Sequence, residues 1–406
     1  MNTQELYAMI NEASEHLELH DDFQQLLRIP ERQLAFSVPY ESDEGNMRVV
    51  EGFRTLHSSL LGPGKGGIRL HPETNIDETS LLASWMTMKN ALMHLPFGGA
   101  KGGIAADPKQ LSDNERERVI RSYIRKLSPY IGRDQDIPAP DVNIGQQEIG
   151  WMLDEYEKHL HDPYNAVFTG KDPVIGGIPG RVEATAAGVV HTIRCWLKEQ
   201  DRSLNNLKVA IQGAGNVGSF CARILADKGA IITAISDSSS TIIDENGLNV
   251  EKVLKKKTDT GSLGGDHESA AVFEVPCDVL IPAAMGGAID EETARLIQAD
   301  LIAEGANGPV TADADRVLEE RGIEVLPDIL TNAGGVVVSY LEWRMNERKE
   351  EWSKADALSQ LEHYMRQAFS RTNRTKQDSG VSYRRAAYYT ACRRLADVMQ
   401  ARGLIK

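Results

Sequence analysis

Apolar and polar positions along this chain fall into blocks that predict a mixed α/β fold. Residues 34–38 and 47–54 have the composition and alternation of strands. Over residues 78–92, Leu81, Leu82, Trp85, Met88 and Leu92 recur at helical spacing and define a buried stripe, with Lys89 on its edge. Two glycine clusters, 62–67 and 96–103, hold too many glycines for regular structure and are expected to be loops. From Leu207 the pattern becomes strand, glycine turn, helix to Lys228, and a second strand closing on Ser236-Asp237. Strand-like runs recur at 278–282, 301–304 and 323–326, separated by helical stretches, which predicts a wound parallel sheet. Beyond Asn332 the chain reads as helical: Leu358, Leu361, Met365 and Phe369 form one stripe, and 383–401 a final helix. Residues 255–266 mix lysine, glycine and small polar residues and are expected to be a surface loop without chemistry.

Length and composition narrow the function classes. The 406 residues suit two domains, and 41% hydrophobic with 26% charged residues is globular rather than disordered usage. A formal net charge of −14 disfavours nucleic acid and anionic membranes as partners. The longest apolar runs, such as 281–289, are about half of what a membrane-spanning helix needs. The acidic, amphipathic amino terminus resembles neither a secretory signal nor a transit peptide and is expected to be a first helix. Cys195, Cys221, Cys277 and Cys392 stand far apart, so neither a metal site nor a disulfide framework is expected. Reduced thiols fit a cytoplasmic protein.

Gly213-Ala214-Gly215-Asn216-Val217-Gly218 matches the dinucleotide fingerprint, directly after a predicted strand and before a helix. The first glycine turns the chain, the second admits a pyrophosphate, and the third lets helix and strand pack closely. Asp237 stands where an acid accepts hydrogen bonds from the adenosine ribose hydroxyls. Residues 238–247 contain no Lys or Arg, which leans the cofactor toward NAD, with NADP possible if a basic group arrives from elsewhere in the fold. Lys65, Lys89 and Lys101 sit in or beside glycine-rich or apolar sequence, where partial desolvation lowers an amine's pKa toward the range useful for acid/base work.

The segments GPGKGGIRLHP (62–72), MTMKNAL (86–92), PFGGAKGG (96–103), PAPDVN (138–143), GAGNVG (213–218), EGANGPVT (304–311) and NAGGVVVSYLEW (332–343) resemble, in order, the motifs of the glutamate/leucine/phenylalanine/valine dehydrogenases. The resemblance implies an α/β substrate-binding and oligomerisation domain over 1–183, a Rossmann-like doubly wound dinucleotide domain over 184–370, and a helical segment, 371–406, returning to the first. It implies Lys101 as the catalytic lysine and Asp141 as the proton-transferring carboxylate. Lys89 then holds the substrate α-carboxylate, Lys65 and Ser339 a side-chain carboxylate, and Thr185, Asn307 and Asn332 the nicotinamide end of the cofactor. A cation and a hydroxyl favour the glutamate branch, because an apolar substrate would leave a buried ammonium unpaired. The implied reaction is reversible oxidative deamination of L-glutamate to 2-oxoglutarate and ammonia without a metal, in a cleft that closes, within a homohexamer. A dehydrogenase for another amino acid and a catalytically silent cofactor-binding subunit are the alternatives. The chain departs from the family pattern at Ile178, where a hydroxyl is usual, and at Ala186-Ala187, where glycine and a basic residue are usual.

Overall fold

A computed structural model describes residues 3–160 and 162–406. In chain order the first elements are α1 (Thr3–His16), α2 (Asp21–Arg28), β1 (Arg32–Glu41), β2 (Met47–Ser58), β3 (Gly64–Leu70), α3 (Ile76–Leu92), β4 (Gly99–Ala105), α4 (Asp113–Leu127), β5 (Asp136–Pro140) and α5 (Gln146–Glu157). There follow α6 (Ala184–Lys198), β6 (Lys208–Gln212), α7 (Asn216–Asp227), β7 (Ile231–Ser236), β8 (Thr241–Ile243), α8 (Val250–Thr260), β9 (Cys277–Pro282), α9 (Glu291–Leu296) and β10 (Ala299–Ala303). The last are α10 (Ala312–Glu320), β11 (Glu324–Leu326), α11 (Asp328–Thr331), α12 (Gly334–Arg348), α13 (Lys354–Ser379) and α14 (Tyr383–Ala401).

These elements form two compact units. One comprises residues 10–181, 336–357 and 391–406, the other 3–9, 182–335 and 358–390. The sequence places a single return at residue 371, whereas the chain changes unit at 335/336, 357/358 and 390/391. Long helices cross these points, and helical periodicity carries no mark of which unit a turn packs into.

The first unit is built on a five-stranded sheet ordered β1-β2-β4-β3-β5. Both glycine clusters expected to be loops lie partly in strands, β3 and β4. The reason is close approach: a Cβ on Gly66 would lie 1.5 Å from Ala100 O, and one on Gly99 2.2 Å from Thr87 Oγ1 of α3. Glycine is thus required by packing here, not by a turn. The face away from α3 carries Val38, Ile68 and Ile104 against Ile120, Tyr123 and Ile124 of α4, a helix started by a Ser112/Glu115 capping box.

The second unit holds a six-stranded sheet ordered β11-β10-β9-β6-β7-β8. Counted from β6, this is the 3-2-1-4-5-6 order of doubly wound dinucleotide folds. The pairs are parallel except β7–β8, which is antiparallel. Ala210, Leu280 and Ile302 of the central strands are buried with Val317 and Leu318 of α10.

Candidate active site

Strand register assembles the lysines. Side chains alternate along a strand, so Lys65, Gly67 and Arg69 share one face of β3. Parallel pairing of Ile68 with Gly102 sets Lys101 beside Gly67 on that face. The pairing of Lys65 with Ile137 through Ile68 with Pro140 brings Asp141, the next residue after β5, beside Arg69. A Cβ on Gly67 would lie 2.7 Å from Asp141 Cβ, so this glycine makes room for the carboxylate. Lys101 Nζ lies 2.9 Å from Asp141 Oδ2, and Arg69 Nε donates to the same oxygen at 2.9 Å. Arg69 also engages Glu78 of α3. Helix α3 covers this face and carries Lys89, half-buried, in its last turn.

Burial is the largest influence on this pair, and it acts oppositely on the two groups. It lowers the Lys101 amine, an effect that nearby Arg69 and Arg54 reinforce and Asp141 only partly offsets. It would raise Asp141, but the adjoining Lys101 and Arg69 cations outweigh it and hold the carboxyl below its ordinary value. The result is an amine eased toward deprotonation beside a carboxylate kept ionised.

Lys65 is fully buried, and its Nζ donates to Ile137 O at 3.2 Å. Burial, then Arg54 and Arg181, press its pKa well below that of a free lysine, against the pull of Glu342 and Asp136. Lys65 makes no ion pair among the described residues. Arg54 and Asp136 form a buried pair, at 1% and 0% exposure, with Arg54 Nε 2.9 Å from Asp136 Oδ2. Glu342 of α12 is buried, 2.8 Å from Lys171 Nζ, and accepts the Gly170 amide at 2.9 Å. Ser339, three residues before Glu342 and on the same helix face, is buried as well.

In the second unit, Gly213, Gly215 and Gly218 stand in three different backbone surroundings. Gly213 has φ +97°, which turns the chain after β6. A Cβ on Gly218 would lie 1.8 Å from Gly213 O, so close packing demands glycine there. A Cβ on Gly215 would meet nothing within 4 Å, leaving a cradle that a side chain would fill. Asn216 and Val217 open α7, whose N-terminus has no side-chain cap. Asn332 Nδ2 donates to Asn307 Oδ1 at 3.0 Å, which brings these two residues together. Thr185 lies in the first turn of α6, in the same unit.

Asp237 directly follows β7, but its carboxylate is already engaged. Oδ1 accepts from Ser239 N (2.9 Å), Ser239 Oγ (2.7 Å) and Ser240 N (3.0 Å). Oδ2 accepts from Leu263 N (2.7 Å) and Lys257 Nζ (3.2 Å). These donors outweigh burial and depress its pKa strongly. The expectation that 255–266 is a loop without chemistry is therefore corrected: Lys257 belongs to α8, and it and Leu263 both reach Asp237. A basic group does arrive at this strand end, from twenty residues downstream.

Sequence reasoning did not find Arg69, the Arg54–Asp136 pair, Arg181, Glu342 or Lys257. Strand alternation with Lys65 was the available signal for Arg69, and the Lys255–Lys257 run the signal for Lys257. The buried pair and Glu342 join distant segments and leave no local mark.

Residues 30–158 match the model of the Glu/Leu/Phe/Val dehydrogenase dimerisation domain, and residues 176–403 that of the Glutamate/Leucine/Phenylalanine/Valine dehydrogenases. The chain belongs to this family. Among related glutamate/leucine/phenylalanine/valine dehydrogenases, it is 41% identical to the NADP-specific glutamate dehydrogenase A1 of Halobacterium salinarum, covering 98% of this chain and 97% of that one. It is 39% identical to the NAD-specific glutamate dehydrogenase of Staphylococcus aureus, covering 97% and 96%. Its structure resembles a chain of the hetero-hexameric glutamate dehydrogenase of Thermus thermophilus in its Leu-bound form, with a TM-score of 0.95 and 34% identity over 99% of this chain and 97% of that one.

The departures from the family pattern sit in packed surroundings. Ile178, Ala186 and Ala187 are buried. Near the alanines, a Cβ on Gly334 would lie 2.0 Å from Ala184 O, and one on Gly188 3.0 Å from Gly334 Cα, so the first turns of α6 and α12 cross almost backbone to backbone. Nothing in the structure explains the loss of the basic side chain at Ala187.

Proposed function

We propose that this protein is a glutamate dehydrogenase, catalysing the reversible NAD(P)-dependent oxidative deamination of L-glutamate to 2-oxoglutarate and ammonia. The observation that carries the substrate class is Lys65, a buried amine hydrogen-bonded to a backbone carbonyl and without an acidic partner of its own, whose charge a substrate carboxylate would restore. Such a group favours a carboxylate, and an aliphatic or aromatic substrate side chain would leave it unpaired. Ser339 adds a hydroxyl for the same γ-carboxylate, while Lys89 takes the α-carboxylate. The names of the relatives, NAD- and NADP-specific glutamate dehydrogenases, support the same substrate and both cofactors.

Asp141 takes and returns protons, and its contacts with Lys101 and Arg69 fix one carboxylate oxygen while the other stays available. Lys101 polarises the substrate nitrogen-bearing carbon's oxygen substituent as it forms, and its lowered pKa suits it to activate the attacking water. A dinucleotide held in the second unit would supply the hydride acceptor for the Cα hydrogen. Gly213, Gly215, Asn216, Val217 and Gly218 would hold its pyrophosphate, and Thr185, Asn307 and Asn332 its nicotinamide end, while Asp237 would reach the adenosine ribose only by exchanging one of the five donors it accepts from. Lys257, paired with Asp237, is the basic group that a 2′-phosphate would meet by displacing that carboxylate, and it keeps NADP beside NAD as a cofactor.

The intact Lys101–Asp141 pair weighs against a silent subunit. The family resemblance supports a homohexamer assembled mainly through the 1–183 domain, and widely spaced, reduced cysteines support a cytoplasmic protein. Glutamate-dependent reduction of NAD and NADP by the purified protein tests the assignment. Turnover with glutamate well above that with leucine supports it, and preference for leucine overturns it.

A further inference from the structure

We propose that the second unit carries an additional binding pocket, apart from the dinucleotide fingerprint, for a small organic anion bearing two or more negative charges. The cavity, about 550 Å³ in volume, is formed by the later turns of α6, the 202–205 segment, Lys228 after α7, and α13. That size suits a small metabolite.

Its lining reverses the charge of the molecule. Arg194, Lys198, Arg202, Lys228 and Arg366 face one acid, Glu362, in a chain of net charge −14. Arg202 is matched by Asp278 at 2.5 Å and Asp300 at 3.2 Å, and Arg194 by Glu362 at 3.2 Å. Lys198, Lys228 and Arg366 make no ion pair among the described residues.

These cations converge on shared groups. Arg194, Arg366 and Lys198 all act on the Cys195 thiol and Arg194 and Lys228 on the His191 ring, with Glu362, 3.9 Å from His191 Nδ1, opposing them at both. His191 is pushed down to about 4, chiefly by burial, so near neutral pH it contributes a hydrogen-bonding imidazole without charge. Leu197 and Leu204 give the wall an apolar part, which favours an organic body over a bare inorganic ion. A carboxylate or phosphate group would replace Glu362 on Arg194 and gain the three unmatched cations, in a concavity where field lines concentrate.

Cys195 lines this cavity and is partly exposed, whereas Cys221 and Cys392 are buried. Alkylation of the intact protein by iodoacetamide at alkaline pH, read by peptide mass spectrometry, reports occupancy, with partly exposed Cys277 as the reference. The probes are citrate, a tricarboxylate, and glycerol 3-phosphate, a phosphomonoester, each at constant ionic strength. For a Kd of about 1 mM, about 5 mM probe leaves roughly one site in six open, so Cys195 labelling slows about sixfold while Cys277 is unchanged. Protection by either probe supports the proposal and identifies the acid group. The protection should vanish in Lys198→Glu/Arg366→Glu, where both changes are at exposed positions. No protection by either probe overturns the proposal, as does equal protection in that variant. A Cys195 that stays unlabelled in the native protein but reacts once unfolded also overturns it, since the pocket is then covered.

Discussion

Replacing Asp136 by Asn strips the partner from a guanidinium that has almost no access to water. Arg54 is 1% exposed and Asp136 0%, and Arg54 also donates to Gly66 O at 3.2 Å, so the cation is fixed within the sheet. Breaking a buried pair from one side costs about 3–5 kcal/mol, whereas replacing both partners by apolar residues is often neutral or stabilising. At roughly 2–4 °C per kcal/mol for a unit of this size, Asp136→Asn should lower Tm by about 6–20 °C. Arg54→Met/Asp136→Leu should recover most of that loss. Activity should not follow stability. Arg54 depresses both Lys65 and Lys101, so its removal raises both amines and moves the acidic limb of the kcat profile to higher pH. Differential scanning fluorimetry and pH–rate profiles of both variants measure this. A Tm loss below about 2 °C in the single variant, or a double variant with the native pH profile, would falsify the role given to this pair.

Lys101→Ala should lower kcat by about 10²–10⁴-fold with cofactor binding, followed by nucleotide fluorescence, nearly intact; a loss under about tenfold contradicts the acid/base assignment. Because the Lys65 pKa is lowered in the free protein and a γ-carboxylate would raise it, glutamate binding should take up a proton and weaken as pH rises through the free-protein value. Calorimetry of glutarate binding in buffers of different ionisation enthalpy measures that uptake; proton release would have the wrong sign. Lys257→Ala should reduce kcat/KM for NADP by at least about tenfold more than for NAD, by analogy with the loss of one charge-assisted contact. Equal effects on both cofactors would remove Lys257 from the 2′-phosphate.

The doubly wound unit was legible because its strands are apolar runs and its fingerprint is local: β6, Gly213 and α7 follow one another within twenty residues. The antiparallel β8 was not legible, since its three residues carry no signature of direction. Lys65, Lys89 and Lys101 stood out from their glycine and apolar neighbours. The strands that carry two of them did not, because glycine in a sequence reads as a turn, and only Ala100 O and Thr87 Oγ1, brought close by folding, show why no side chain fits. Arg54 and Asp136 lie 82 residues apart, so their pairing depends on tertiary structure alone. Asp237 was read as an acid at a strand end, yet its five donors come from residues 239, 240, 257 and 263, which a spacing rule does not bring to it.

The most direct test of the substrate assignment compares L-glutamate with L-norvaline, an amino acid without the γ-carboxylate, in the native protein and in Lys65→Met. The account predicts that the native protein prefers glutamate and that the variant loses about 10²-fold or more in kcat/KM for glutamate while keeping its norvaline activity, as expected when a buried charge partner is removed. An unchanged glutamate-to-norvaline ratio would contradict it.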